Sequence, residues 1–272
     1  MITSAIVDEA RCDSLAADRV HPEAWTAIIP AAGVGSRLGY ALPKILYPVL
    51  GRPILEWVLD ALRPVCSRYV FVLSPSGRSQ VEPVIKALLG DFGQVVIQER
   101  AIGMGDAVMC AEPAVMTPNS LVVWGDQITL SQKTVWRCAA LHQNRSAARL
   151  TLPTIVKHKP YIHVSRGADG RILEVLQARE KPIPHEYGES DCGLFLFSTA
   201  ALFGTLRSAR DRGIGVGAST GEFNLLQTLP EFESGPGTVQ SLKIGDINET
   251  LGVNTIEEAQ QAELYLRARF SR

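Results

Sequence analysis

A repeated change of hydrophobic period over the first half of the chain constrains the fold most. The apolar run Trp25–Pro30 enters a glycine-rich segment. Next comes Pro53–Val65, where Ile54, Leu55, Val58, Leu59 and Leu62 fall at helical spacing. The pattern then recurs. Arg68–Leu73 reads as a strand, Ser79–Leu89 as a helix, Gln94–Gln98 as a strand and Gly105–Glu112 as a helix. Leu121–Trp124 and Gln132–Gln143 complete the series as strand and helix. This alternation predicts an α/β fold, a Rossmann-like and mostly parallel sheet flanked by helices.

The second half has a different texture. Leu150–Lys157, Tyr161–Ser165 and Arg171–Leu176 read as adjacent strands, with a turn at Gly167–Gly170, and Gly193–Phe197 as one more strand. Helices are expected over Thr199–Ala209, Glu222–Leu229 and Ile256–Phe270. Arg210–Thr220 is glycine-rich and reads as mobile. Residues 1–24 are polar and aperiodic and read as a loose extension or an added arm. Residues 25–272 read as a single domain with halves at 25–145 and 146–272.

Composition narrows the function. The formal net charge of −1 over 272 residues gives no broad electrostatic footprint for nucleic acid or an anionic membrane, so an anionic ligand needs a local site. No apolar run approaches the ~18 residues of a membrane helix. The five cysteines are odd in number and widely spaced, which favours reduced thiols. With no basic-then-apolar leader, the expectation is a cytoplasmic protein.

Open parallel sheets bind ligands at the carboxyl ends of their strands. After the first strand come Ala31, Ala32, Gly33 and Gly35, whose backbone allows close approach to a phosphate. Arg37 can fork onto phosphate oxygens, and Lys44 adds a point charge. After the third strand come Gln98, a donor and acceptor suited to a base edge, and a glycine turn at Gly103. After the fourth come Trp124, Gly125 and Asp126, the last a natural Mg²⁺ ligand beside phosphates. Asn254 offers a second oxygen. Taken singly, Asp126 and Asn254 suit helix caps better than metal ligation, Trp124 suits core better than a site, and the glycines suit turn geometry as readily as phosphate binding. Four such features at the strand ends of one sheet favour one cleft.

"AAGVGSRL" with "LPKILYPVLGRPILEWVLDAL" resembles the signature of sugar-1-phosphate nucleotidyltransferases. Within them it is similar to the uridylyltransferase domain of the bacterial bifunctional N-acetylglucosamine-1-phosphate enzyme. "IGMGDAV" resembles that family's Gly-Thr-Gly-His-Ala segment, "LVVWGD" its Tyr-Gly-Asp, and "GEFNLLQTLPE" and "GVNTIEEAQQAE" its later helices. The likeness runs from about Ala27 to Glu263, and the family's β-helix domain has no counterpart. "AREKPIP" resembles the Glu-Lys-Pro motif of hexose-1-phosphate thymidylyltransferases and uridylyltransferases.

The resemblance implies the nucleotide-diphospho-sugar transferase fold and a Mg²⁺-dependent enzyme. It would join a nucleoside triphosphate, UTP or dTTP favoured, to a sugar 1-phosphate or sugar-like phosphate and release pyrophosphate. Residues 25–145 would then bind nucleotide and 146–272 the acceptor. Arg37, Lys44 and Asp126 would be catalytic. Ala31, Ala32, Gly33, Gly35, Gln98 and Gly103 would hold the nucleotide. Trp124, Gly125, Glu180, Lys181 and Asp191 would hold the acceptor, and Asp126 and Asn254 the metal. A homo-oligomer is left open, and no nucleic acid or membrane partner is implied.

Some residues depart from the pattern. Trp124 replaces a Tyr, Met104 a Thr and Asp191 an Asn. The triphosphate half therefore matches better than the acceptor half. Asp191 beside Trp124 suits an amino sugar, a cyclitol phosphate or a choline-like cation. The alternatives are a cytidylyltransferase for an alcohol, cyclitol or choline-type phosphate, and a non-catalytic nucleotide-sensing module. A metal-dependent glycosyltransferase is disfavoured because Gln127-Ile128 stands where Asp-x-Asp is needed.

Overall fold

The computed structural model describes residues 5–14, 20–33, 35–144, 147–234 and 237–271. Its strands are β1 (Ala5–Asp8), β2 (Trp25–Pro30), β3 (Pro48–Val49), β4 (Arg52–Pro53), β5 (Arg68–Leu73), β6 (Gly93–Ile97) and β7 (Asn119–Val123). They continue with β8 (Ala148–His158), β9 (Ile162–Arg166), β10 (Ile172–Gln177), β11 (Tyr187–Asp191), β12 (Leu194–Ser198) and β13 (Thr238–Lys243). The α-helices are α1 (Glu9–Asp13), α2 (Ile54–Leu62), α3 (Pro75–Leu89), α4 (Met104–Cys110), α5 (Gln132–Gln143), α6 (Thr199–Asp211) and α7 (Ile256–Phe270).

The main sheet runs β1-β13-β8-β12-β7-β2-β5-β6, with β11 paired to β8. The strands β7, β2, β5 and β6 are parallel neighbours, and β12 runs antiparallel between β7 and β8. All six residues of β2 are buried, as a central strand covered on both faces requires. Two apolar clusters lie on opposite faces. One gathers Trp25, Ile29, Phe71 and the α2 side chains, the other Ile28, Val70, Phe195 and Phe197. This is the mostly parallel α/β architecture that the alternating pattern predicts.

The second half differs from expectation in detail. The pair β9–β10 forms a separate antiparallel hairpin and does not extend the main sheet. Residues 222–225 are not helical. Phe223 bridges to Val216, and a 3-10 helix occupies Leu226–Ser234 instead, with Pro230 inside it. Nor are residues 5–13 loose. β1 pairs in parallel with β13, and Arg137 of α5 donates to Asp13 at 2.7 Å through two nitrogens and also bonds Glu9. All five cysteines are free thiols, and among the described residues no helix is long and apolar enough to cross a membrane.

His142 of α5 lies against Trp25, its Nδ1 2.9 Å from the Thr151 hydroxyl. Burial lowers its pKa from the ordinary 6.5 to about 3. The folded state therefore resists a proton that the unfolded chain accepts, so this stability is complete above pH 6.5 and drains away as pH falls towards 3. Urea unfolding from pH 7 to 4 will show a shallower loss in His142→Asn than in the wild type. Equal slopes would refute the assignment.

Candidate functional site

A cleft of about 710 Å³ opens where β2, β6 and β7 end. Three segments after those strands supply one wall. Pro30 ends β2, and Ala31, Ala32, Gly33 and Arg37 follow it. Gln98, Ala101 and Gly103 follow β6, and Trp124, Gly125 and Asp126 follow β7. Residues from the second half close the other side, among them Lys157, Gln177, Arg179 and Asp191.

Lys44 stands at the junction. Its ammonium donates to Asp126 Oδ2 at 2.6 Å and to Asn254 Oδ1 at 2.9 Å, joining residues 82 and 210 positions away. Gly35, at φ +68°, makes room for its stem, because a Cβ there would lie 2.7 Å from Lys44 Cβ. Gly35 thus shapes the site from behind and does not line the cleft. Arg37 lines the cleft and is exposed.

Neither Asp126 nor Asn254 caps a helix. Ser131 caps α5, and Thr255 caps α7 in a capping box with Glu258. Their two loops are stitched together. Val253 N–H donates to Asp126 O at 3.1 Å, and Gln127 bridges to Gly252. Gln127 Nε2 donates to Glu249 O at 2.6 Å, while the Glu249 carboxylate accepts from Ser131 N–H at 2.8 Å and the Thr134 hydroxyl at 2.9 Å. Burial nonetheless raises the Glu249 pKa.

On the base side, Gln98 Nε2 donates to Gly103 O at 3.0 Å and to Asp106 Oδ2 at 2.9 Å. Gly103, at φ +121°, lies so close to the Phe223 backbone that a Cβ would collide with it. Phe223 N–H donates to Ile102 O and its carbonyl accepts from Gly105 N–H, both at 2.8 Å. Residues 222–226 therefore close over the glycine turn.

On the far side, Asp191 is 8% exposed, and its Oδ2 accepts from Gly193 N–H at 2.9 Å. Burial raises its pKa, while the Gly193 bond and the nearby Lys157 ammonium lower it. Gly193 has φ +69°, and a Cβ there would sit 2.8 Å from Trp124 Cδ1. Trp124 packs on Phe195 at 5.2 Å between centroids.

Two expected acceptor residues are elsewhere. Glu180 does not line the cleft. Its carboxylate accepts from Ser219 N–H at 2.9 Å, Thr220 N–H at 3.2 Å and the Thr220 hydroxyl at 2.6 Å. The hydroxyl bond leads in lowering its pKa. The glycine-rich segment that follows α6, read from the sequence as mobile, is thereby tied down at Ser219 and Thr220. Lys181 points outward, 3.8 Å from Glu174. Arg179 is the cleft residue of that motif, bonded to Asn224 and, at 2.8 Å, to Glu222. Lys157, Gln177, Arg179 and Asp106 were not singled out from the sequence. β10 ends at Gln177 and Arg179 lies in the turn beyond it, so no strand alternation marks Arg179.

The residues present fit a divalent cation. Two hard oxygen donors, the Asp126 carboxylate and the Asn254 amide, already converge on one positive charge, the Lys44 ammonium. Among the described residues no group of three or more His, Cys, Asp or Glu forms a metal cage, so the remaining ligands would come from water and phosphate.

The sheet order and a strand-end cleft lined by oxygen donors and cations define a mostly parallel α/β protein with its candidate site at the strand ends. The chain belongs to the MobA-like NTP transferase domain family, whose model matches residues 27–189. It is 28% identical to the bifunctional protein GlmU of Desulfitobacterium hafniense (strain DSM 10664 / DCB-2) over 247 residues, 90% of this chain and 52% of the relative. It is 27% identical to the protein of the same name from Bacillus subtilis (strain 168), over 90% of this chain and 53% of that one. The chain thus spans about half the length of these curated relatives. A Bacillus anthracis protein assigned as a glucose-1-phosphate thymidylyltransferase, solved with sucrose, shares the fold. Its TM-score is 0.69 at 17% identity, over 90% of this chain and 96% of that one.

Proposed function

We propose that this protein transfers a nucleotidyl group from a pyrimidine nucleoside triphosphate to a phosphorylated small molecule of the sugar-phosphate class. The carrying observation is the convergence of Lys44, Asp126 and Asn254 in one cleft, between the glycine loop and the acceptor wall. An acceptor phosphate oxygen attacks the α-phosphorus, the bond to the β-phosphate oxygen breaks, and pyrophosphate leaves with that electron pair. The nucleophile is already an anion, so no general base is required, and the protein's task is positioning and charge compensation.

Arg37 holds the triphosphate, and Lys44 reaches the α-phosphate. Asp126 and Asn254 would hold a magnesium ion, which when bound would supply charge neutralisation to the phosphates. Gln98 meets the base. Lys157 and Arg179 take the acceptor-phosphate role that the motif likeness gave to Lys181. Asp191 accepts from acceptor hydroxyls or an amine beside Trp124.

The test is a pyrophosphate-release screen crossing the common nucleoside triphosphates with sugar, cyclitol and amino-alcohol phosphates. Release with a sugar phosphate supports the reading. Background release in every combination overturns it in favour of a nucleotide-sensing module.

A further inference from the structure

The Gln98 amide has one end fixed. Both partners of its Nε2, the Asp106 carboxylate and the Gly103 carbonyl, are hydrogen-bond acceptors. Turning the amide over would set its oxygen against two other oxygens and leave both without a donor. Gln98 is 5% exposed and lines the cleft, and its Oε1 has no hydrogen-bond partner among the described residues. The N–H groups of Ala32, Gly33 and Gly103, which line the same cleft, also have none there. The cleft therefore offers one acceptor together with backbone donors from two separate loops.

Uracil and thymine carry a complementary edge, the N3–H donor flanked by the O2 and O4 acceptors. Cytosine does not, because its N3 accepts and its exocyclic amine donates at the edge's end. We infer that Asp106 is the positioning residue that holds Gln98 as an acceptor towards the base, so that the site takes uracil or thymine nucleotides and rejects cytosine. This rests on the nucleotidyl-transfer reading for the identity of the base pocket. Asp106 stands in the first turn of α4, and among the described residues its carboxylate's further hydrogen-bond contact is a weak 3.9 Å approach from Cys110 Sγ.

Calorimetric titration with UTP, dTTP and CTP, with Mg²⁺ and no acceptor, tests this without relying on turnover. The wild type should bind UTP and dTTP alike and CTP at least about tenfold more weakly, as loss of a hydrogen bond to a buried group implies. Asp106→Ala should shrink the UTP-to-CTP ratio by about tenfold. Asp106→Asn should keep the ratio within about threefold, because its amide oxygen still accepts from Gln98 Nε2. Should the alanine variant lose its circular dichroism signature, Asp106→Leu, which offers no acceptor, replaces it with the same expectation. Equal wild-type affinity for UTP and CTP overturns the inference, as does an unchanged ratio in the alanine or leucine variant. Selective UTP binding without pyrophosphate release for any acceptor overturns the transferase reading alone, and binding of none of the three nucleotides overturns both.

Discussion

Lys44→Ala and Asp126→Ala will each lower turnover by about 10³-fold or more, with circular dichroism unchanged. The Lys44 ammonium and the Asp126 carboxylate touch at 2.6 Å, and their side chains are 19% and 16% exposed. Charges so placed act in a medium of lower dielectric than water, where they count for more on a reacting phosphate. The two losses will differ in form. Without Lys44 the deficit is one of charge on the α-phosphate, and raising Mg²⁺ will not restore it. Without Asp126, millimolar Mn²⁺ or Mg²⁺ will recover part of the rate, because Asn254 and the phosphates remain as ligands. Rates within tenfold of wild type in either variant would sink the assignment.

Deleting residues 1–14 will destabilise the fold by roughly 3 kcal/mol or more. Arg137 is only 7% exposed, and its guanidinium is spent on Asp13 and Glu9. The same guanidinium holds the Asp13 carboxyl down at about 2. Removing both acids leaves the guanidinium without its two carboxylate partners. It also strips β1 from β13 and leaves an unpaired sheet edge. Urea midpoints measure the effect. Adding Arg137→Met to the deletion should recover part of it, since an apolar side chain there needs no partner. An unchanged midpoint in the deletion would show that the segment is dispensable.

How much could be read in advance followed from how local each signal was. Gln132–Gln143 and Ile256–Phe270 were legible to the residue, because each joins helical spacing to a cap, Ser131 and Thr255. By contrast, β1, β11 and β13 are four to six residues long, and their partners are far away in the chain, so no nearby pattern announces them. The stretch Glu222–Leu229 is apolar at helical spacing, but the Phe223 backbone is drawn to Ile102 and Gly105 instead. The glycine loop, Gln98 and Asp126 stood out because each follows a strand. The contact of Lys44 with Asn254 spans 210 positions and is a product of the tertiary fold. In Arg179-Glu180-Lys181, three charged residues in a row cannot be sorted by spacing into the one that enters the cleft and the two that do not.

The way Glu180 is held bears on any redesign of acceptor preference. Its carboxylate draws three hydrogen bonds from Ser219 and Thr220, and its neighbour Arg179 is tied to Glu222 and Asn224. The hairpin arm that follows β10 and the crossover at 215–224 are thus one exchangeable cassette. A chimaera that imports residues 215–224 from a relative without the matching arm would leave the buried Glu180 carboxylate with no donors and release Phe223 from the glycine turn at Gly103. Graft boundaries for new specificities belong outside both segments, so that they travel together.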